Sequence, residues 1–112
     1  MELFHPDQLD RLSLAAEGIA QRLTDRSARI GVVGLGYVGM PIALEYAKKG
    51  FQVHGVDVSD HKIDLLVRGQ NFIEDLNDQD VADVVAAGHL TASTDYEPLA
   101  QADVVFIAVP TP

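Results

Sequence analysis

The sequence predicts an α/β protein built on a doubly wound parallel sheet, and two observations carry that expectation. Short apolar runs of strand type alternate with stretches of helical periodicity along most of the chain. The last of these runs, Val104 to Val109, contains no polar residue, as in a strand buried on both faces of a parallel sheet.

The chain begins with a helix expected over residues 6–24. Leu9, Leu12, Ala16, Ile19 and Leu23 recur at alternating steps of three and four and form one apolar stripe. Pro6 suits the first helical position, and Asp7 and Asp10 complement the positive end of the helix dipole. Gly18 weakens this helix slightly, and the stripe suits docking on a neighbouring element. Thr24 to Ala28 reads as a connector, and Arg29 to Gly34 as a strand carrying Ile30, Val32 and Val33. A helix then runs to about Lys49, with Pro41 in its first turn, where a missing N–H costs little, and Gly50 just past its end. Phe51 to Asp57 is the second strand. Ser59 or Asp60 caps the next helix, Asp60 being the expected cap, and Gly69 ends it after about Arg68.

Residues 70–77 form a polar loop, Asp78 to Ala87 a short helix stopped by Gly88, and Leu90 to Ser93 a brief strand. Asp95 to Ala100 reads as about one helical turn, and Pro110 stops the run that begins at Val104. Right-handed crossovers place the strands in the order 3-2-1-4. That is half of a Rossmann-type dinucleotide-binding fold with its first crossing strand. Residues 1–27 form an N-terminal helical extension to a domain spanning 28–112.

Composition bounds the partners. A length of 112 residues suits one core, and 47% apolar residues suffice to fill it. A net charge of −9 with no basic stripe argues against nucleic acid and against an anionic membrane surface. It does not argue against an anionic cofactor held locally by backbone N–H groups. The chain has no cysteine, so it holds no disulfide, thiolate metal site or cysteine nucleophile, which fits a cytoplasmic setting. No signal peptide or membrane span is expected from its start.

The chemistry concentrates at Gly34-Leu35-Gly36-Tyr37-Val38-Gly39, a G-x-G-x-x-G turn that follows a strand and opens a helix. Gly34 permits the tight turn, Gly36 lets a diphosphate approach the backbone, and Gly39 allows close helix–strand packing. The free N–H groups and the helix dipole then face the phosphates. The bland alternative is a turn that needs glycine only for its backbone angles. Asp57 stands at the end of the second strand, close to the spacing expected of the acid that accepts the adenine ribose hydroxyls. A carboxylate there repels a 2′-phosphate and favours NAD over NADP, although a solvated strand-end aspartate would look the same in sequence. Lys62 either reaches the ribose side or sits in solvent. A mononucleotide phosphate loop needs Lys and then Ser or Thr after its last glycine, where this chain has Met40 and Pro41. A flavin protein or a methyltransferase with the same turn remains open on these residues alone.

Three stretches together resemble the nucleotide-sugar dehydrogenases, the UDP-glucose/GDP-mannose dehydrogenase family. They are Ile30 to Pro41 with Tyr37, Val38, Gly39 and Pro41 in register, Gly55-Val56-Asp57 with Lys62 beyond it, and Ala102 to Pro112. The resemblance covers about residues 28–112. It implies NAD as cofactor, with Gly34 to Gly39 at the pyrophosphate, Asp57 and Lys62 at the adenine ribose, and Val109, Pro110 and Thr111 along the cofactor where the fourth strand ends. Pro110 to Pro112 also read simply as a stiff strand exit. The family oxidises the sugar C6 alcohol to a carboxylate in two NAD-dependent steps. In the loop Asn71 to Leu76, Glu74-Asp75-Leu76 resembles members acting on UDP-N-acetylhexosamines, where glucose and mannose members usually carry Glu-Pro-Gly. The family's catalytic cysteine and lysine and its sugar-nucleotide domain lie beyond this region, so no catalytic residue is expected here and the chain alone should be inactive. The extension before residue 28 departs from the family pattern.

The remaining candidates are weaker. His5, His54, His61 and His89 show no metal-type spacing, and no metal is expected. His54 alternates with Val53 and is expected to be partly buried. Tyr37 is expected to pack near the nucleotide, and Glu74, Asp75, Asp78, Asp80 and Asp83 to form a solvated face. The expected function is therefore the NAD-binding portion of a UDP-sugar 6-dehydrogenase, able to form a homo-oligomer. The alternative is a non-catalytic NAD-sensing module.

Overall fold

A computed structural model describes residues 17–108 of the chain; the part of the first helix expected before residue 17, and Val109, Pro110 and Thr111, lie outside the described residues. Residues 17–24 are helical, here called α1. The order that follows is β1 (Arg29–Val33), α2 (Gly39–Lys48), β2 (Gln52–Val56), α3 (Asp60–Val67), α4 (Asp78–Ala86), β3 (Leu90–Ser93), a 3-10 turn (Glu97–Gln101) and β4 (Val104–Ile107). The four strands form one sheet in the order β3-β2-β1-β4, every pair parallel. This is the doubly wound, Rossmann-type half fold that the sequence predicts.

Register explains which face each residue uses. Ile30 lies beside Val53 and Val104, Val32 beside Gly55 and Phe106, and Val53 beside Leu90, so these residues share one face. That face packs with Met40, Ala43, Leu44 and Ala47 of α2, Leu66 of α3, and Val81 and Val84 of α4 into one buried cluster. Tyr46 of α2 ties the cluster together at its rim, its ring centroid 5.4 Å from those of both Phe51 and Phe106. Helices between consecutive strands on one side of the sheet are what right-handed crossovers require.

The other face carries Gly31, His54, Thr91, Val105 and Ile107. The 3-10 turn crosses it, and a Cβ on Gly31 would stand 2.6 Å from Leu99 Cδ2. Beyond that contact the face thins out, with Val105 41% and Ile107 74% exposed. The expectation that the last strand is buried on both faces is therefore corrected. Val104 and Phe106 pack inward, while Val105 is only partly covered and Ile107 largely exposed among the described residues. An apolar run records that both faces can be buried and says nothing of what covers them.

One local correction follows. Ser59, not Asp60, caps α3, its hydroxyl accepting the Lys62 N–H at 3.3 Å. Asp60 instead lies in the first turn, where its charge complements the dipole. At the start of the sheet, Asp103 joins distant segments. One carboxylate oxygen accepts the Arg29 N–H at 2.8 Å, and the other accepts Arg22 Nε of α1 at 3.0 Å. Arg22 also faces Asp103 through its terminal nitrogen at 2.8 Å. These bonds hold the Asp103 carboxyl below the usual carboxylate range, the Arg29 N–H being the largest cause.

Candidate functional site

A cleft of about 570 Å³ opens at the carboxyl ends of β1 and β2 and beside the end of β4, lined by Gly34, Gly36, Tyr37, Val38, Asp57, Lys62, Ile107 and Ala108. Carboxyl ends of parallel strands are where open α/β sheets bind ligands. The turn between β1 and α2 builds its floor. Gly34 has φ of +93°, a conformation side chains rarely adopt, and its N–H still continues the ladder by donating to the Val56 carbonyl at 2.8 Å. A Cβ on Gly39 would run into the Gly34 carbonyl, so this glycine lets α2 start directly against the turn. Around Gly36 a Cβ would meet nothing within 4 Å. That space belongs to the cleft.

The amides of the turn divide into two groups. The Gly34 N–H is held by Val56, and the Leu35 N–H donates to Asp57 Oδ2 at 2.8 Å. The N–H groups of Gly36, Tyr37, Val38 and Gly39 take no partner among the described residues. The expectation of free donors at the helix mouth holds for these four and not for the two before them. No side chain caps α2 at Val38, which leaves the helix's positive end facing the cleft.

Asp57 follows β2 directly, with its side chain 11% exposed. Besides the Leu35 N–H on Oδ2, its Oδ1 accepts the Ser59 N–H at 2.9 Å. Lys62, one turn into α3, brings Nζ to 4.0 Å from Oδ2, a contact at the limit of an ion pair. Tyr37 and Val38 are 74% and 64% exposed and line the cleft.

Of the residues that the sequence singles out, the structure brings Gly34, Gly36, Tyr37, Val38, Asp57 and Lys62 to one cleft and sets Gly39 beneath it. Val109, Pro110 and Thr111 fall outside the described residues. Sequence reasoning missed Leu35, which is fully buried and covers Gly55, where a Cβ would stand 2.8 Å from Leu35 Cδ2. A glycine inside a strand signals such a close approach. Ile107 and Ala108 were read only as strand, although the alternation that points Val33 toward this end also brings Ile107 there.

A second cleft of about 420 Å³ lies over the other sheet face and includes His54, Thr91, Asp95 and Leu99. His54 Nδ1 is 2.7 Å from Thr91 Oγ1, and Nε2 is 3.0 Å from Ser93 Oγ, whose hydroxyl donates to the Asp95 carbonyl at 3.1 Å. The Thr91 hydroxyl also reaches the Val53 carbonyl at 3.4 Å, so it is shared between that acceptor and the His54 ring. Burial lowers the His54 pKa and the Asp95 charge opposes the shift, which favours the neutral ring at pH 7. His54 is thus a clasp between β2 and β3.

The loop after α3 winds around Asn71, whose side-chain amide donates to the Ile73 and Leu76 carbonyls at 2.8 Å each while its oxygen accepts the Ile73 N–H at 2.9 Å. Within the acidic run, Asp80 pairs with Lys48 at 3.1 Å, and Asp78 and Asp80 occupy the first turn of α4.

The description of the UDP-glucose/GDP-mannose dehydrogenase family, NAD binding domain, matches residues 28–112. The chain belongs to this family. Its matched part is the NAD-binding domain, and NAD is the cofactor of that domain. Among relatives, the UDP-N-acetyl-D-mannosamine dehydrogenase of Escherichia coli K12 is 44% identical over 89 residues, covering 76% of this chain and 20% of the relative. The NDP-N-acetyl-D-galactosaminuronic acid dehydrogenase of Ralstonia nicotianae is 43% identical over 84 residues, covering 74% and 19%. Among solved structures, the UDP-N-acetyl-mannosamine dehydrogenase of Staphylococcus aureus superposes with a TM-score of 0.70 at 42% identity, over 76% of this chain and 20% of that one. The dehydrogenase-family chain thus spans about a fifth of the length of these relatives. Among the described residues no helix is long and apolar enough to cross a membrane.

Proposed function

We propose that the chain holds NAD in the cleft above Gly36 and serves as the cofactor-binding portion of a nucleotide-sugar 6-dehydrogenase. One observation carries this reading: the open space over Gly36 meets the unpartnered amides of Gly36, Tyr37 and Val38 and the Asp57 carboxylate in the same cleft. A diphosphate fits such amides at a helix start, where the dipole adds to them. Asp57 keeps acceptor capacity beyond its two amide bonds, since a carboxylate offers about four lone-pair sites. The adenine ribose hydroxyls would donate there, with Lys62 beside them. Tyr37 and Val38 would cover the nucleotide from the rim. The family resemblance would add Val109, Pro110 and Thr111 to the cofactor site.

NAD supplies hydride acceptance when bound. This portion would bind and orient the cofactor. The relatives' names support a substrate of the UDP-N-acetylhexosamine class oxidised at C6 to a uronate, and Glu74-Asp75-Leu76 agrees with that class. The reading extends to a cytoplasmic protein able to form a homo-oligomer, with residues 1–27 as an extension tied to the domain through Arg22 and Asp103. The sugar nucleotide would be bound by sequence beyond this portion, and a reading frame several hundred residues longer with a downstream cysteine is expected.

Calorimetric titration with NAD tests the site. Binding that disappears in Gly36→Val, with the fold retained, is the expected result. Equal heats in both proteins would remove the cleft as the cofactor site.

A further inference from the structure

Asp57 has more contacts with the protein than a ribose-binding acid needs. Its Oδ2 holds the Leu35 N–H at 2.8 Å, across 22 residues of sequence, and its Oδ1 holds the Ser59 N–H at 2.9 Å. Leu35 is fully buried, so its amide has no ready replacement in water. Ser59 is the cap of α3, and α3 carries Lys62. One carboxylate therefore links the second residue of the glycine turn to the start of α3. The four amides left free begin immediately after the one that it holds.

We propose that Asp57 is a positioning residue for the phosphate-binding turn: by holding the Leu35 N–H it fixes the direction of the Gly36 to Gly39 amides, separately from any bond to the ribose. The inference rests on the NAD reading of the cleft for its ligand and on the apo geometry for its mechanism. A carboxylate accepting backbone N–H bonds makes one of the stronger hydrogen bonds in proteins. Losing it leaves a buried donor unpaired, which a small backbone rotation would relieve. That rotation re-aims the amides that follow.

Ribose binding and turn positioning predict opposite results for one ligand. An NAD analogue lacking both hydroxyls on the adenosine ribose cannot use Asp57 as a ribose acceptor. By charge alone, removing a carboxylate beside a diphosphate tightens that analogue. Turn positioning predicts that Asp57→Ala weakens it, by about tenfold for one lost charge-assisted bond. Asp57→Asn keeps one acceptor, which turns to the buried Leu35 amide, and returns the analogue to within about threefold of the parent protein. Equal or tighter analogue binding in Asp57→Ala overturns the proposal while leaving the cleft as the NAD site.

A measurement without ligand separates the two readings further. In the parent protein the Leu35 amide should be protected from hydrogen exchange. In Asp57→Ala that protection should fall, and the amide resonances of Gly36 to Gly39 should shift. An unchanged set of turn resonances overturns the proposal whether or not NAD binds. Should Asp57→Ala fail to fold, Asp57→Asn carries the comparison at the Leu35 amide itself, whose exchange should quicken with the weaker neutral acceptor, and unchanged Leu35 exchange overturns the proposal.

Discussion

Gly39 stands directly against the carbonyl of Gly34, leaving no room for even a methyl group between the start of α2 and the end of β1. Gly36, three residues earlier, faces open space. Two glycines of one motif therefore occupy opposite settings, one packed against backbone and one open. We expect Gly39→Ala to destabilise the protein by about 3 kcal/mol, near the upper end of overpacking costs because the obstacle is backbone. Gly36→Ala should leave stability within about 1 kcal/mol of the parent, since its backbone conformation suits alanine. It should weaken NAD all the same. Urea unfolding together with calorimetry separates the two effects. Equal stability of the two variants would refute the division.

Leu35 fills the space over Gly55 and is fully buried. Leu35→Ala should cost about 2–5 kcal/mol, the range for emptying a leucine site in a core. Because the same residue anchors the turn through Asp57, NAD affinity should fall as well, even where the protein remains folded. An exposed control, Ile107→Thr, should change stability by less than about 0.5 kcal/mol.

Asp103 binds the Arg29 N–H and Arg22, which lowers its pKa. A group with a depressed folded pKa contributes stability that is present above its unfolded pKa and lost as pH falls through the folded value. Asp103→Asn should therefore be less stable than the parent at pH 7. The gap should close as the pH falls below the ordinary aspartate value of 3.8. Denaturant melts at a series of acid pH values would check this, and a gap that does not depend on pH would contradict it.

His54 titrates in the opposite chemical sense but with the same sign for stability. Burial lowers its folded pKa below the ordinary 6.5, so the unfolded chain binds its proton more readily. Stability from the neutral ring is present above that value and declines as the pH falls through the folded pKa. The contribution should disappear in His54→Gln, giving a flatter stability profile between about pH 5 and 7. A ring titration by NMR should place the midpoint below 6.5. A midpoint above it would mean that Asp95 outweighs burial.

Much of this protein was legible before any coordinates. The periodicity of the apolar residues located each described strand and helix, and Gly50, Gly69 and Gly88 marked helix ends where the backbone does take positive φ. Gly34, Gly36 and Asp57, which spacing singles out, and Lys62, which the family resemblance adds, meet in one cleft. The misreadings have a common origin. Asp60 and Ser59 are both good caps, and only the path of the chain after Asp57 decides between them. Leu35 reads as a filler between two glycines, because nothing local reveals that it lies over Gly55.

The sequence by itself determined the order of elements, the parallel 3-2-1-4 sheet and the place of the glycine turn between β1 and α2. Those depend on periodicity, handedness and residue type, which act over a few neighbouring positions. Only the tertiary structure decided which turn amides stay free, that Asp57 holds Leu35 as well as Ser59, and that Val105 and Ile107 lie on a thinly covered face. A hydrogen-bond donor takes whichever acceptor the fold brings within about 3 Å, and for Leu35 that acceptor stands 22 residues away.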